Sequence, residues 1–245
     1  MDKLTCNNIT ASYDGVKIIE DINIELNQGE LVSLLGVSGV GKTTLFQVIS
    51  GLLKPDSGRV ILDGVDITGE AGSVSYMLQK DLLFHYKTIL DNVALPLEIK
   101  GLKKKEARDI ASSYFKEFGL DGSQHKYPDQ LSGGMRQRAA LLRTYLFSNQ
   151  VALLDEPFSA LDTITKSSIH EWYLNVMDQI KLSTIFITHD IDEAIFLSDR
   201  IYIMGGKPGR IIDEIKVSIA RPRDKEFLLT SEFLEYKRNI IRKLN

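Results

Sequence analysis

Apolar and polar positions alternate over Ile22, Ile24 and Leu26. Asn27-Gln28-Gly29 then offers a turn, and the run LVSLL (31–35) follows with almost no polar interruption. Alternation marks a strand with one wet face, whereas a short apolar run marks a strand covered on both faces. The first 35 residues therefore predict strands. A Gly-rich loop next leads into a helix through Thr44–Ser50, stopped at Gly51 with Pro55 shortly after. RVILDG and SVSYML read as further strands. From about Gln79 to Phe147 the spacing becomes helical. Ala107, Ile110, Ala111, Tyr114 and Phe118 fall on one face, with Gly119 where a helix would end. Strand signals return at VALLD (151–155), STIFIT (183–188) and DRIYIM (199–204), with helices between them. A last amphipathic helix is predicted around Phe227 to Leu244, with Arg238, Arg242 and Lys243 near its C-terminal end, where the helix dipole favours cations.

Strands alternating with helices predict an α/β fold with a mostly parallel core sheet and an antiparallel β part at the N-terminus. The whole of 1–245 is expected to form one domain. Its α/β lobe comprises 1–79 and 149–215, a helical lobe is inserted at 80–148, and 216–245 forms a C-terminal extension. The composition changes this picture little: 43% apolar and 26% charged residues are ordinary for a globular chain of 245 residues. A net charge of −3 lacks the basic excess of a nucleic-acid binder. The single cysteine, Cys6, allows no internal disulfide and fits a reducing compartment. No apolar run approaches the ~18 residues that span a bilayer. The opening MDKLTCNNITASYDG has no signal-peptide core. A role at a membrane would thus need another protein as anchor. Lys103-Lys104-Lys105 reads as the solvated start of a helix.

The strongest chemical signal is Gly36-Val-Ser-Gly-Val-Gly41-Lys42-Thr43, which fits G-x-x-x-x-G-K-S/T between an apolar strand and a helix. Glycines let consecutive N–H groups turn inward toward phosphate oxygens, and the helix N-terminus adds favourable potential for anions. Lys42 can bridge β- and γ-phosphates, and the Thr43 hydroxyl can ligate Mg²⁺. The candidate nucleotide contacts here are Gly36, Ser38, Gly39, Gly41, Lys42, Thr43 and Thr44. A second signal is VALLD followed by Glu156: a buried parallel strand releases its acids at the C-terminal edge, where α/β sheets place ligands. Asp155 suits Mg²⁺ and Glu156 suits the attacking water.

Leu131-Ser132-Gly133-Gly134-Met135-Arg136-Gln137-Arg138 combines a hydroxyl, open backbone N–H groups and a helix start, a second anion-binding element in a chain that already has one. It resembles the LSGGQ signature of the ABC ATPases, with Met135 where Gln is usual. The resemblance covers nearly the whole chain and implies a P-loop NTPase of the ABC cassette type. ATP and Mg²⁺ are then the cofactors, and two copies close head-to-tail on ATP, so that Ser132, Gly133 and Gly134 reach the γ-phosphate held by the partner. It further implies that Tyr13 stacks on adenine, that Gln79 contacts Mg²⁺ or water and hinges the helical lobe, and that Asp162, in Ser159-Ala-Leu-Asp162, communicates across the dimer. His189 would contact the γ-phosphate. Glu156, His189 and Gln79 are thus the expected catalytic residues, and Thr43, Gln79 and Asp155 the metal ligands. His85, His125 and His170 match no such position and read as structural or surface residues.

Two stretches, LQKDLLFHYKTILDNVALPLEIKG and Ser198-Asp199-Arg200 with Lys207-Pro208-Gly209-Arg210-Ile211, look like the nitrate/sulfonate/taurine importer branch, as does Arg221-Pro222-Arg223. The branch implies an ATPase subunit on the cytoplasmic face of the membrane, bound to integral permease subunits and served by an external solute-binding protein. The cargo would be a small anion or heterocycle, thiamine precursors included. His85-Tyr86 departs from the Pro-Trp often found in the branch, which leaves the subgroup and the substrate open. The alternative is a soluble ABC ATPase of the iron–sulfur cluster assembly type, against which the PGRI and RPR elements argue. A P-loop kinase would share Gly36–Thr43 but has no use for the Ser132-Gly133-Gly134 element.

Overall fold

The computed structural model describes residues 2–148, 150–159 and 163–244, with the backbone alone at 163–165 and 167. Its centre is a sheet in the order β10-β9-β3-β8-β7-β6, built from Arg210–Lys216 (β10), Arg200–Gly205 (β9), Leu31–Gly36 (β3), Ser183–Thr188 (β8), Val151–Asp155 (β7) and Ser75–Met77 (β6). All neighbours in it run parallel except β10, which pairs antiparallel with β9. A second, antiparallel sheet of order β2-β1-β4-β5 is made by Val16–Asn27 (β2), Asp2–Tyr13 (β1), Ser57–Leu62 (β4) and Val65–Asp66 (β5).

The apolar runs explain the layering. On β3, Val32 and Leu34 join one core while Leu31 and Leu35 join the other, and Val151/Leu153 against Ala152/Leu154 repeat the division on β7. Successive side chains on a strand point to opposite faces, so a strand apolar at every position can serve two layers. The first core lies between the two sheets and takes in Leu45, Phe46, Val48 and Ile49 of the helix Lys42–Ile49 (α1). The second covers the other face, where α5 (Thr163–Ile180), α6 (Ile191–Leu197) and α7 (Ser231–Leu244) pack.

Three helices leave and return between β6 and β7, which are themselves direct neighbours: Ile89–Ile99 (α2), Lys104–Ser113 (α3) and Gly133–Phe147 (α4). Thr88 caps α2 by accepting from the Asp91 amide, and Asp91 in turn takes both arms of Arg108 at 2.8 Å, joining α2 to α3. These helices share the second core through Val93, Ala111 and Leu142. No helix of the described residues is long and apolar enough to cross a membrane.

Two expectations need correction, and one strand carried no signal. The helical face drawn through Phe118 is too long, because α3 ends at Ser113 and 114–119 form turns. Ile110 is 37% exposed, while Phe115 and Phe118 are buried from the turns. The 3.6-residue spacing was met by side chains from two different local structures. The terminal helix begins only at Ser231: Thr230 accepts from the Phe233 amide, and a 3₁₀ turn, Lys225–Leu229, precedes it. Strand β10 carried no apolar run, since most of its side chains are exposed or half-exposed at the sheet edge.

Candidate functional site

Strands β3, β8, β7 and β6 are consecutive in the parallel sheet, and the chain that follows each carries one of the candidate groups. Residues 36–43 follow β3, Gln79 follows β6, Glu156 follows β7 and His189 follows β8. Parallel packing brings all four C-terminal ends to one edge, which is where α/β sheets bind ligands. There they surround a cavity of about 530 Å³ lined by Ser38, Gly39, Gly41, Lys42, Thr43, Thr44, Gln79, Asp155, Glu156 and His189, together with Ile18 and Ile187.

The loop geometry follows from its glycines. Gly41 sits at φ 106°, and a Cβ there would meet Ile19 Cγ2 at 2.5 Å, so no other residue fits. Directly after it α1 begins without a side-chain cap, leaving its first amides free for an anion. Lys42 donates to the carbonyls of Gly36 (2.7 Å) and Val37 (2.9 Å). Burial pushes the Lys42 ammonium below the usual lysine range, with Glu156 and Asp155 pulling the other way. A buried cation beside a row of backbone donors suits a phosphate chain.

Asp155 Oδ2 accepts from Thr43 Oγ1 at 3.1 Å and from Tyr76 Oη at 3.3 Å. Burial raises the Asp155 carboxyl above its ordinary value, against the pull of those two hydroxyls. Among the described residues no group of three or more His, Cys, Asp or Glu could hold a metal unaided. A buried carboxylate and a neighbouring hydroxyl in the cavity lining are nevertheless the hard oxygen donors that Mg²⁺ takes when phosphates complete its shell. The residues present fit that ion. Tyr76 had no signal in the sequence; it is one tyrosine in a strand, and its contact with Asp155 exists only because β6 pairs with β7.

Glu156 has a φ of 47°, which is uncommon for a residue with a side chain, and its amide donates to Ile187 O at 3.1 Å. This turn aims its carboxylate into the cavity. Oε2 accepts from Gln79 Nε2 at 3.0 Å, and Oε1 lies 3.2 Å from His189 Nδ1. Strained backbone held at such a point is the kind of feature that clusters at active sites.

Other candidates lie apart. Tyr13 does not line the cavity; it ends β1, 43% exposed, and donates to Gln47 Oε1 on α1 at 2.5 Å. Gly36 contributes its carbonyl to Lys42 but no lining surface. Ser132 caps α4, accepting from the Met135 amide at 3.3 Å, and Gly133 and Gly134 open that helix. None of the three faces the Lys42 cavity of its own chain. Asp162 lies outside the described residues. Arg136 and Arg143 of α4 reach the segment after Gln79: Arg136 pairs with Asp81 at 3.2 Å, and Arg143 donates to the Asp81 and Leu82 carbonyls. This clasp has no local signature, because its partners are 55 to 62 residues apart.

The family profile described as ABC transporter matches residues 19–159. The chain belongs to this family. Among curated relatives, the formylaminopyrimidine import ATP-binding protein ThiZ of Halalkalibacterium halodurans is 42% identical over 241 residues, spanning 98% of this chain and 93% of the relative. The aliphatic sulfonates import ATP-binding protein SsuB of Bacillus cereus is 41% identical over 245 residues, with 95% of each chain covered. Among solved structures, an ATP-binding cassette captured as a dimer after hydrolysis, with ADP and Pi bound, superposes with a TM-score of 0.74 at 28% identity, covering 89% of this chain and all of that one. The cavity thus lies in an ABC ATPase domain, the fold expected from the sequence.

Proposed function

We propose that this chain is the ATP-hydrolysing subunit of an importer, driving uptake of a small anion or heterocycle through a separate permease at the cytoplasmic face of the membrane. The observation that carries the hydrolytic half is the Glu156 carboxylate, held between Gln79 and His189 in the cavity that Lys42 and Thr43 also line. Phosphoryl transfer asks a protein mainly for positioning and charge neutralisation. The Gly36–Thr44 loop and α1 bind and orient the phosphates of ATP. Mg²⁺ bound at Thr43 and Asp155 would supply charge neutralisation on the phosphate oxygens. Glu156 accepts the proton of the attacking water, while Gln79 and His189 keep its oxygens from turning away. Tyr13, latched to Gln47, offers a ring for the adenine. Ser132, Gly133 and Gly134 present a capped helix start that suits a phosphate on a second copy, which fits closure of two chains head-to-tail around ATP. Lys42→Ala is expected to weaken equilibrium ATP binding by about 10- to 100-fold, since charge-assisted hydrogen bonds contribute about 1.5–3 kcal/mol. Unchanged affinity in a nucleotide titration would remove Lys42 from the cradle.

The transport half rests on the relatives and on a second surface. An apolar groove of about 530 Å³ lies between the body and the inserted helices, walled by Leu52, Tyr76, Leu95, Pro96, Ile99 and Phe147. Leu52 and Ile99 are each more than 60% exposed. A groove of that kind takes the apolar face of a short helix, and a loop helix of an integral permease is the partner the reading requires. That permease would receive its cargo from an external solute-binding protein. The test is a pull-down with the Glu156→Gln variant and Mg–ATP from detergent-solubilised membranes of the source cell, followed by mass spectrometry. A multi-span permease should be recovered, and recovery should fail for Ile99→Asp. If only soluble scaffold proteins come down, the transport reading is wrong.

A further inference from the structure

Outside the cavity, a buried carboxylate stands at the centre of a charged cluster. Glu193 of α6 is 4% exposed. An isolated carboxylate in that position would be costly, but this one meets three donors. Thr188 donates its hydroxyl to Glu193 Oε2, while His170 Nε2 and Lys166 Nζ of α5 lie 3.0 and 3.2 Å from Oε1. Lys166 also donates to Asp190 Oδ2 at 2.8 Å, and Asp190 caps α6 by accepting from the Asp192 and Glu193 amides. Burial opposes the Lys166 charge, but Asp190 and Glu193 outweigh it and raise its pKa above the usual value.

Thr188 and Asp190 are the residues on either side of His189. The His189 side chain is 62% exposed, and its link to Glu156 is the one polar contact the described residues give it. Its direction is therefore set by the main chain that carries it, and that main chain is tied to α5 on both sides. The same helix reaches the other half of the pair: the His170 ring stands edge-on to Phe158, centroids 4.8 Å apart, and Phe158 is two residues beyond Glu156. Buried ion pairs add little net stability over apolar packing, but their hydrogen bonds are directional.

We propose that Lys166, His170 and Glu193 form a positioning cluster for hydrolysis, through which α5 fixes the His189 turn relative to Glu156. The inference rests on the reading of Glu156 and His189 as the hydrolytic pair. Phosphate release in a single turnover, multiple-turnover kcat and KM, equilibrium ATP affinity and thermal stability are measured for Glu193→Gln, Lys166→Gln and His170→Gln, alone and combined with His189→Ala. Glu193→Gln and Lys166→Gln should each slow phosphate release roughly tenfold, because small misplacements of a reacting group are strongly felt. ATP affinity should stay within about twofold, since the phosphate cradle is untouched. His170→Gln keeps an N–H donor and should retain most of the rate. In the His189→Ala background, Glu193→Gln should cause no further loss, as expected of groups acting through one another. Independent, multiplying losses in that background would overturn the inference and leave the hydrolytic assignment standing. Full turnover by His189→Ala alone would overturn the assignment and the inference with it. Should Glu193→Gln fold poorly, Lys166→Gln carries the same cycle, its side chain being 21% exposed and better able to tolerate the change.

Discussion

Glu156→Gln is expected to keep its nucleotide and lose turnover by about 10²–10⁴-fold, the usual contribution of a general base. The amide has the shape of the carboxylate and can still accept from Gln79 Nε2 or face His189 Nδ1, the two contacts that hold the native side chain. It cannot take a proton from water. Binding should survive because the phosphate contacts are proposed for Gly36–Thr44, whose geometry is set by Gly41 and by the Lys42 bonds to Gly36 and Val37. Steady-state phosphate release and a nucleotide titration, run side by side, separate the two effects. Turnover within about threefold of the parent would mean that Glu156 is not the base, and the φ of 47° would then need another explanation. The substituted chain should also stay closed on ATP as a dimer, visible as a mass change by light scattering only when Mg–ATP is present.

Arg223→Met is expected to cost about 3 kcal/mol of stability without touching the cavity. The guanidinium is 4% exposed and donates to the carbonyls of Ile195, Phe196 and Ser198 at 2.8–3.0 Å and to Ile219 at 2.7 and 3.0 Å. The first three lie at the end of α6, where helix carbonyls lack intrahelical partners and carry partial negative charge. Burial pulls the Arg223 pKa down to about 10, so part of what the bonds gain is spent on desolvation. The expected loss is accordingly a few kcal/mol rather than the sum of five bonds. In a chain of this length that is a drop of about 6–12 °C in Tm. Arg223→Lys, a point charge without the fork, should fall between the two. A Tm within about 1 °C of the parent would place Arg223→Met among ordinary surface changes and refute this account.

The groups that were legible in the sequence are those whose neighbours in space are also neighbours in the chain. Gly36–Thr43 is one turn of chain with its own phosphate logic, and Asp155-Glu156 ends an apolar strand whose burial on both faces is written in its composition. Gln79 and His189 have no such local signature; they became candidates only through resemblance to a family, and their approach to Glu156 depends on the strand order of the sheet. Tyr76, Arg136 and the Lys166–His170–Glu193 cluster were illegible for the same reason. On a helix, Lys166 and His170 look like a solvated face, and only the packing of α5 against α6 makes them interior. Phe118 shows the converse failure: a residue at the right helical spacing is buried from a turn, because apolar side chains seek the core whatever backbone carries them.

The order of strands in the parallel sheet also bears on how the chain is made. Leu31 of β3 pairs with Thr184 of β8, about 150 residues later in synthesis, and at about 5–20 residues per second that is a wait of roughly 8–30 s. Until then β3 has neither parallel neighbour, and an apolar strand with two open edges leaves the ribosome attached to a finished phosphate loop. Long-range parallel pairing is slow and exposed to aggregation. A nascent chain of this protein therefore carries its phosphate loop long before it has the carboxylate and the imidazole proposed for hydrolysis, and β3 stays without its parallel neighbours throughout that interval.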